Sequence, residues 1–253
     1  MSNFEKNLER LKCLVFEDED LSKAQTLITA MVKEVATDIE IDNFSEFLSI
    51  SADAIEDIEN SIIYDTVTDW SLSIYQQKKA SEPIASLKYA DAINSWLNYK
   101  LELLENPATS RESNLTLSLY EDIVDNSDRT TADNELTNNY QGYATYSLLV
   151  GLSKSNLALI DKAIEAQRKV LQLYKTGKFP DYYNLDTFVA IAKRSLASTL
   201  MEAYEFDKNR YSNYLEEIEE LLKSAQKDFE ICGTDFDREY NMNLLEKIRS
   251  YGS

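Results

Sequence analysis

The sequence predicts an all-α chain of about eleven helices, packed as antiparallel pairs in a stacked array, with an irregular helical bundle as the alternative architecture. Three observations carry this. Only 5 glycines and 3 prolines occur in 253 residues, where average usage gives roughly thirty. Hairpins and phosphate-cradling loops need those residues at their turns. Apolar residues recur at three- and four-residue steps along most of the chain, which is the helical period. Capping signals recur at regular intervals between these runs.

The elements follow in order. Ser2 and Glu5 have the spacing of a capping box, opening a helix over 3–16. The acidic run Glu17–Asp20 precedes a second, over 20–37, where negative charge favours a helix N-terminus; metal binding is the weaker reading. Asn43 and Glu46 repeat the capping-box spacing before a helix over 43–60, whose apolar stripe is Phe44, Phe47, Leu48, Ile55, Ile58 and Ile62. Ile63, Val67, Trp70 and Ile74 continue it over 61–80. Pro83 suits a first helical turn, which starts a helix over 83–105. Trp70 and Trp96 fall on apolar stripes and read as core. Asn106-Pro107 stops that helix, and Thr109…Glu112 caps the next, over 112–124. The polar segment 125–134 is the candidate break in an otherwise single domain spanning 1–253. Helices over 132–153, 156–176, 184–205, 211–231 and 236–251 follow, with Gly177 and Gly233 placed as left-handed C-caps.

The formal net charge is −19, unevenly spread. Residues 1–70 carry 17 acids and 5 bases, whereas 154–194 carry 4 acids and 8 bases. Glu34 through Gln77 contain no lysine or arginine. Such a field repels nucleic acid and anionic membrane and favours a basic partner, although acidic surfaces also simply keep helical proteins soluble. The N-terminus is charged and has no apolar signal core. Cys13 and Cys232 read as free thiols in a cytoplasmic protein. Asn43-Phe-Ser45 and Asn114-Leu-Thr116 match the glycosylation triplet by chance.

There is no histidine. Ser-His-Asp and Cys-His nucleophile pairs and His-ligated zinc are excluded. No glycine-rich phosphate loop occurs, and the stretch from Asp122 to Asp133 lacks the glycine and ligand spacing of an EF-hand. No cofactor and no catalytic site are expected. Among carboxylates, Asp53 and Asp57 share a helix face, with Glu46 before them and Glu56 beside. Nothing apolar surrounds that stripe, so it reads as a solvated face, or as an acidic docking face for a basic partner. Arg168, Lys169, Lys193 and Arg194 form a basic island on two helices expected to be neighbours. They either hold a partner or offset surrounding acids, including those of the helix over 211–231.

The segment 144–177 resembles a tetratricopeptide repeat. Val150-Gly151 matches the motif's Leu-Gly step, Ala163 its small residue in the second helix, and Asp161–Ala166 its usual composition. Lys154, Gln167, Val170 and Lys175 depart from the pattern. Ala24, Ile28 and Met31 match the second-helix spacing, but Lys12 stands at the preceding glycine position; Ala92-Ile93 match Ala163-Ile164. The resemblance implies a tetratricopeptide-like α-solenoid, and a protein or peptide partner held on the concave face, for which the basic island would serve. The expected function is thus a non-catalytic interaction module. The alternative is an acidic decoy that imitates nucleic-acid charge and blocks a basic protein. An enzyme using only Asp and Glu with a metal finds no supporting pattern.

Overall fold

A computed structural model of the chain describes residues 2–34, 39–56, 61–127, 131–180 and 184–251, without the side chains of Glu56 and Ser61. The described residues are helical throughout, with short turns between, and none of them forms a strand. The chain divides into two compact units, Met1–Pro107 and Ala108–Ser253. The polar connector 125–134, where the sequence suggested a break, lies inside the second unit and joins two helices that pack against each other.

The first unit contains α1 (Asn3–Phe16), α2 (Leu21–Met31), α3 (Ile41–Glu56), α4 (Ser61–Ser81) and α5 (Leu87–Leu101). The capping box at Ser2 forms as read: Ser2 Oγ accepts from Glu5 N at 3.2 Å, and Ser2 N donates to Glu5 Oε2 at 2.6 Å. Asp20 caps α2, accepting from Lys23 N at 3.1 Å, which settles the acidic run as a helix start. Helix α1 packs on α2 and α3, α2 on α3 and α4, and α5 on α3 and α4.

An aromatic cluster joins α1, α3, α4 and α5. Trp70 lies 5.0 Å from Phe47 edge-on and 6.2 Å from both Phe4 and Phe44. Tyr89 extends the cluster from Phe44 at 5.2 Å. Its hydroxyl donates to the Ile39 carbonyl at 2.5 Å. Trp96 is buried against Tyr64, 4.9 Å away, and donates from Nε1 to Thr68 Oγ1 at 2.9 Å. Both tryptophans are therefore structural. Each aromatic pair adds about 0.5–1.5 kcal/mol beyond its buried area.

Some sequence expectations shift here. Asn43 is not a cap: α3 begins at Ile41, and Phe44 N already bonds the Glu40 carbonyl. Pro83 lies in a turn closed by Ser86 Oγ on the Pro83 carbonyl at 2.7 Å, so α5 starts at Leu87. Helix α5 stops at Leu101, before the Asn106-Pro107 signal, and Pro107–Thr109 is a 3-10 turn. Ile62 is 74% exposed, so the α3 stripe does not run on through it. Ile58 and the proposed helical continuation 57–60 lie outside the described residues, as does 35–37.

The second unit contains α6 (Arg111–Asn126), α7 (Asp133–Ser153), α8 (Leu157–Thr176), α9 (Leu185–Phe206), the single turn α10 (Lys208–Tyr211), α11 (Leu215–Cys232) and α12 (Asp235–Tyr251). Ser110 rather than Thr109 caps α6, accepting from Ser113 N at 3.1 Å. Asn156 and Asn184 cap α8 and α9. Gly177 and Gly233 do follow helices, but with φ of −77° and −88° rather than left-handed backbone. Thr234 and Asp237 instead form a reciprocal box that starts α12.

Packing in this unit runs along the chain: α6 on α7, α7 on α8, α8 on α9, α9 on α11, and α11 on α12. Short connections between packed helices make successive long helices antiparallel. This is the repeat-like arrangement expected of the sequence. At Gly151 α7 lies tight against α8: a Cβ there would lie 3.0 Å from Ile160 Cγ1 and 3.1 Å from Ile160 N. Ala163, the small residue on α8, is fully buried.

Gly151→Val should therefore lower stability by about 1–3 kcal/mol, the usual cost of overpacking a tight interface. Urea denaturation of the full chain measures it. An unchanged midpoint would mean that this glycine does not set the α7–α8 spacing.

Candidate functional site

The basic island is resolved residue by residue. Arg168 on α8 pairs with Glu217 on α11 at 2.7 Å and lies 5.6 Å over the Tyr214 ring. Lys193 on α9 pairs with Asp228 and donates to Ser224 Oγ at 2.9 Å. Arg194 pairs with Asp237 at 3.0 Å, its side chain only 12% exposed. Its guanidinium sits between two rings, 4.8 Å from Phe229 and 5.1 Å from Tyr240. Lys169 makes no ion pair among the described residues. Three of the four bases thus bind α9 or α8 to the acidic helices that follow. They do not form an open cationic surface, and the alternative reading of the island, as an offset to neighbouring acids, accounts for them.

The acidic face fares similarly. Glu46 is taken by Lys12 at 2.5 Å. Asp53 is exposed on α3. The Glu56 side chain and Asp57 lie outside the described residues. Among the described residues no group of three or more His, Cys, Asp or Glu is placed to hold a metal ion. No described helix is long and apolar enough to cross a membrane. Both cysteines are free thiols.

A second feature emerges that no single stretch of sequence displays. Helices α7, α8 and α9 surround a groove of about 130 Å³. Asn138 and Gln141 stand at its rim, exposed on α7, and Ser195 faces them from α9. Gln167 on α8 lines it from below, 6% exposed, with an Oε1 that has no hydrogen-bond partner. Tyr174 and Phe188 stack in its wall, 5.5 Å apart and 11° from parallel. No charged residue lines it, in a chain of which 28% is charged. An unpaired buried amide oxygen costs about 1–3 kcal/mol, a cost that a donated N–H would relieve. The one advance signal was Gln167 itself, which departs from the large residue of the repeat motif.

Near the start of α8, Asp161 receives Tyr211 Oη at 2.8 Å and Arg210 Nη2 at 2.6 Å. This clamps α10 to α8. Burial first, then the bond to Asp161, pushes the Tyr211 phenol up to about 12.

No family model matches the chain, and no curated protein matches it. Among solved structures it is similar to one from the computational design of self-assembling cyclic protein homooligomers. That similarity is 16% identity over 98% of this chain and 90% of that one, with a TM-score of 0.18. A score that low carries no argument about fold or function.

Two expected outcomes follow from these ion pairs and hydrogen bonds. Reversing Lys193 and Arg194 together to glutamate sets like charges against Asp228 and Asp237 in half-buried positions. It should cost about 2–5 kcal/mol, while Arg168→Glu, on an exposed pair, should cost under about 1 kcal/mol. Thermal melts of both variants test the ranking; equal melting temperatures would refute it. The second concerns alkaline pH. Tyr211 holds its proton more tightly when folded, so its contribution is intact below the ordinary phenol pKa of ~10 and is lost as pH rises toward 12. Wild-type stability should fall across that window more steeply than that of Tyr211→Phe. Parallel slopes would show that this phenol does not titrate differently in the two states.

Proposed function

We propose that the chain is a non-catalytic interaction module whose α7–α9 groove takes an extended, uncharged stretch of polypeptide from a protein partner. The observation that carries this is the groove's lining: carboxamides, a hydroxyl and stacked aromatics without a charge, above an amide oxygen that lacks a donor. A peptide backbone presents N–H and C=O groups in alternation and no charge. Asn138 and Gln141 can each donate and accept. A charged side chain placed there would lose its water and find no counter-ion. The repeat-like packing of the second unit and the resemblance of 144–177 to a tetratricopeptide repeat support the same reading. Placing the site in the groove moves it away from Arg168, Lys193 and Arg194, whose ion pairs leave them structural.

Selection of random peptides by the full chain tests this. One class of enriched peptides should lack charge over its central residues. Their affinity should change little between 50 and 300 mM salt, and Gln167→Met, which keeps the volume and removes the amide, should weaken it about tenfold, equivalent to ~1.4 kcal/mol. Enrichment of salt-sensitive lysine-rich peptides alone, with no uncharged peptide retained, would sink the groove reading in favour of the acidic decoy.

A further inference from the structure

Helix α12 has two faces of different character. Asn241, Leu245 and Ile248 are buried, and Asn241 Nδ2 donates to the Leu222 carbonyl of α11 at 2.9 Å. At 100° per residue, Phe236, Glu239, Tyr240, Asn243, Glu246 and Lys247 fall together on the opposite side. Phe236 is 71% exposed and Tyr240 44%. Their rings are parallel within 1°, with centroids 6.0 Å apart. The pair is held in place from beneath, because Arg194 stacks under Tyr240 and is itself fixed by Asp237. It is therefore a preorganised apolar platform.

The charge around the platform is acidic. Residues 227–247 contain six acids and three bases. Arg238 is committed to Asp235, and Lys247 to Glu205 at 2.8 Å. Lys193 and Arg194 are spent on Asp228 and Asp237. Glu230, Glu239 and Glu246 make no ion pair among the described residues; of the three bases in 227–247 only Lys227 makes none, and Arg249 follows Glu246 by three residues. Glu239 and Glu246 share the outer arc with the two rings.

We propose that the outer face of α12 is a second docking surface, for a basic amphipathic helix of another protein, independent of the groove. The helix would lay its apolar stripe on Phe236 and Tyr240 and bring lysines or arginines to Glu239 and Glu246. Charge complementarity selects this occupant. A second copy of the chain would instead bring the same carboxylates face to face at a net charge of −19 each. The aromatic pair supplies the anchor that interface energetics require, and the carboxylates supply orientation and the rate of encounter.

The test uses the full chain and a fluorescently labelled 18-residue amphipathic peptide of leucine and lysine, with its leucine–glutamate counterpart as control. Anisotropy should report binding of the lysine peptide and none of the glutamate one. Phe236→Ser, at an exposed position that should not disturb folding, should weaken binding at least tenfold, as should Glu239→Lys combined with Glu246→Lys. Gln167→Met should leave it unchanged, which separates this surface from the groove. Retention of full affinity by Phe236→Ser would overturn the proposal. So would a wild-type dimer in sedimentation equilibrium that Phe236→Ser returns to monomer, since the face would then belong to a second copy.

Discussion

Close approach of helices through small side chains is the constraint on which the second unit depends. Helix α9 packs on α8, α10, α11 and α12, and it does so through Ala190, Ala192, Ala197 and Ala203, all buried. Ala163 and Ala166 of α8 and Ala225 of α11 are buried too. Small residues bring backbones together, so larger ones nearby can fill the remaining space without voids. Gly151 does the same between α7 and α8. The groove exists because α7, α8 and α9 are held at fixed spacing while polar residues, Asn138, Gln141 and Ser195, line their outer edges. Larger residues at the alanine positions would spread the helices and remove the groove together with the ion pairs that α9 makes.

The ion pairs are the second consequence of that spacing. In a chain of net charge −19, bases are scarce and their placement is informative. Lys193 and Arg194 are adjacent in sequence, yet each reaches a separate acid: Asp228 on α11 and Asp237 on α12. Arg194 adds two aromatic faces to its carboxylate, so removing it would leave Asp237 half-buried and would unseat Tyr240. Thr234 and Arg194 together hold the Asp237 carboxyl below the usual aspartate range, the Thr234 hydroxyl contributing most. That carboxylate stabilises the fold above its ordinary pKa of about 4, and the contribution is lost as pH falls through the depressed value. Opposite charges on successive helices thus do some of the work of registering the stack.

The helices were legible because the apolar period and the scarcity of glycine and proline are local properties. Ser2 and Glu5 could be read as a cap because both halves of the box lie within four residues. Asn43 had the same spacing and failed, since the chain already turns at Glu40, whose carbonyl takes Phe44 N. Near that start Ile39 is anchored by Tyr89, a residue far away in sequence. Pro83 failed for a related reason, as Ser86 closed a turn around it. The roles of Lys193 and Arg194 needed partners from α11 and α12, which sequence does not pair with particular bases. The groove was less legible still, drawing on three helices with no local signature. Gln167 was visible only as a misfit to the repeat pattern.

A neutral groove and an acidic aromatic face on one strongly acidic chain answer different physical demands. A net charge of −19 attracts basic groups and quickens their encounter, but salt screens it beyond about 8–10 Å. It cannot distinguish one basic segment from another. Discrimination has to come from surfaces that remain selective when the field is screened. On α12 that is the fixed geometry of Phe236 and Tyr240, which a purely electrostatic contact would not require. In the groove it is the absence of charge, which turns desolvation into a filter. A ligand entering there gives up water for Asn138, Gln141 and Gln167, and only one with amide-like groups recovers the hydrogen bonds it loses. On the proposed function, the overall charge would bring partners to the surface, and the stacked ring pair and the carboxamide groove would determine which of them stay.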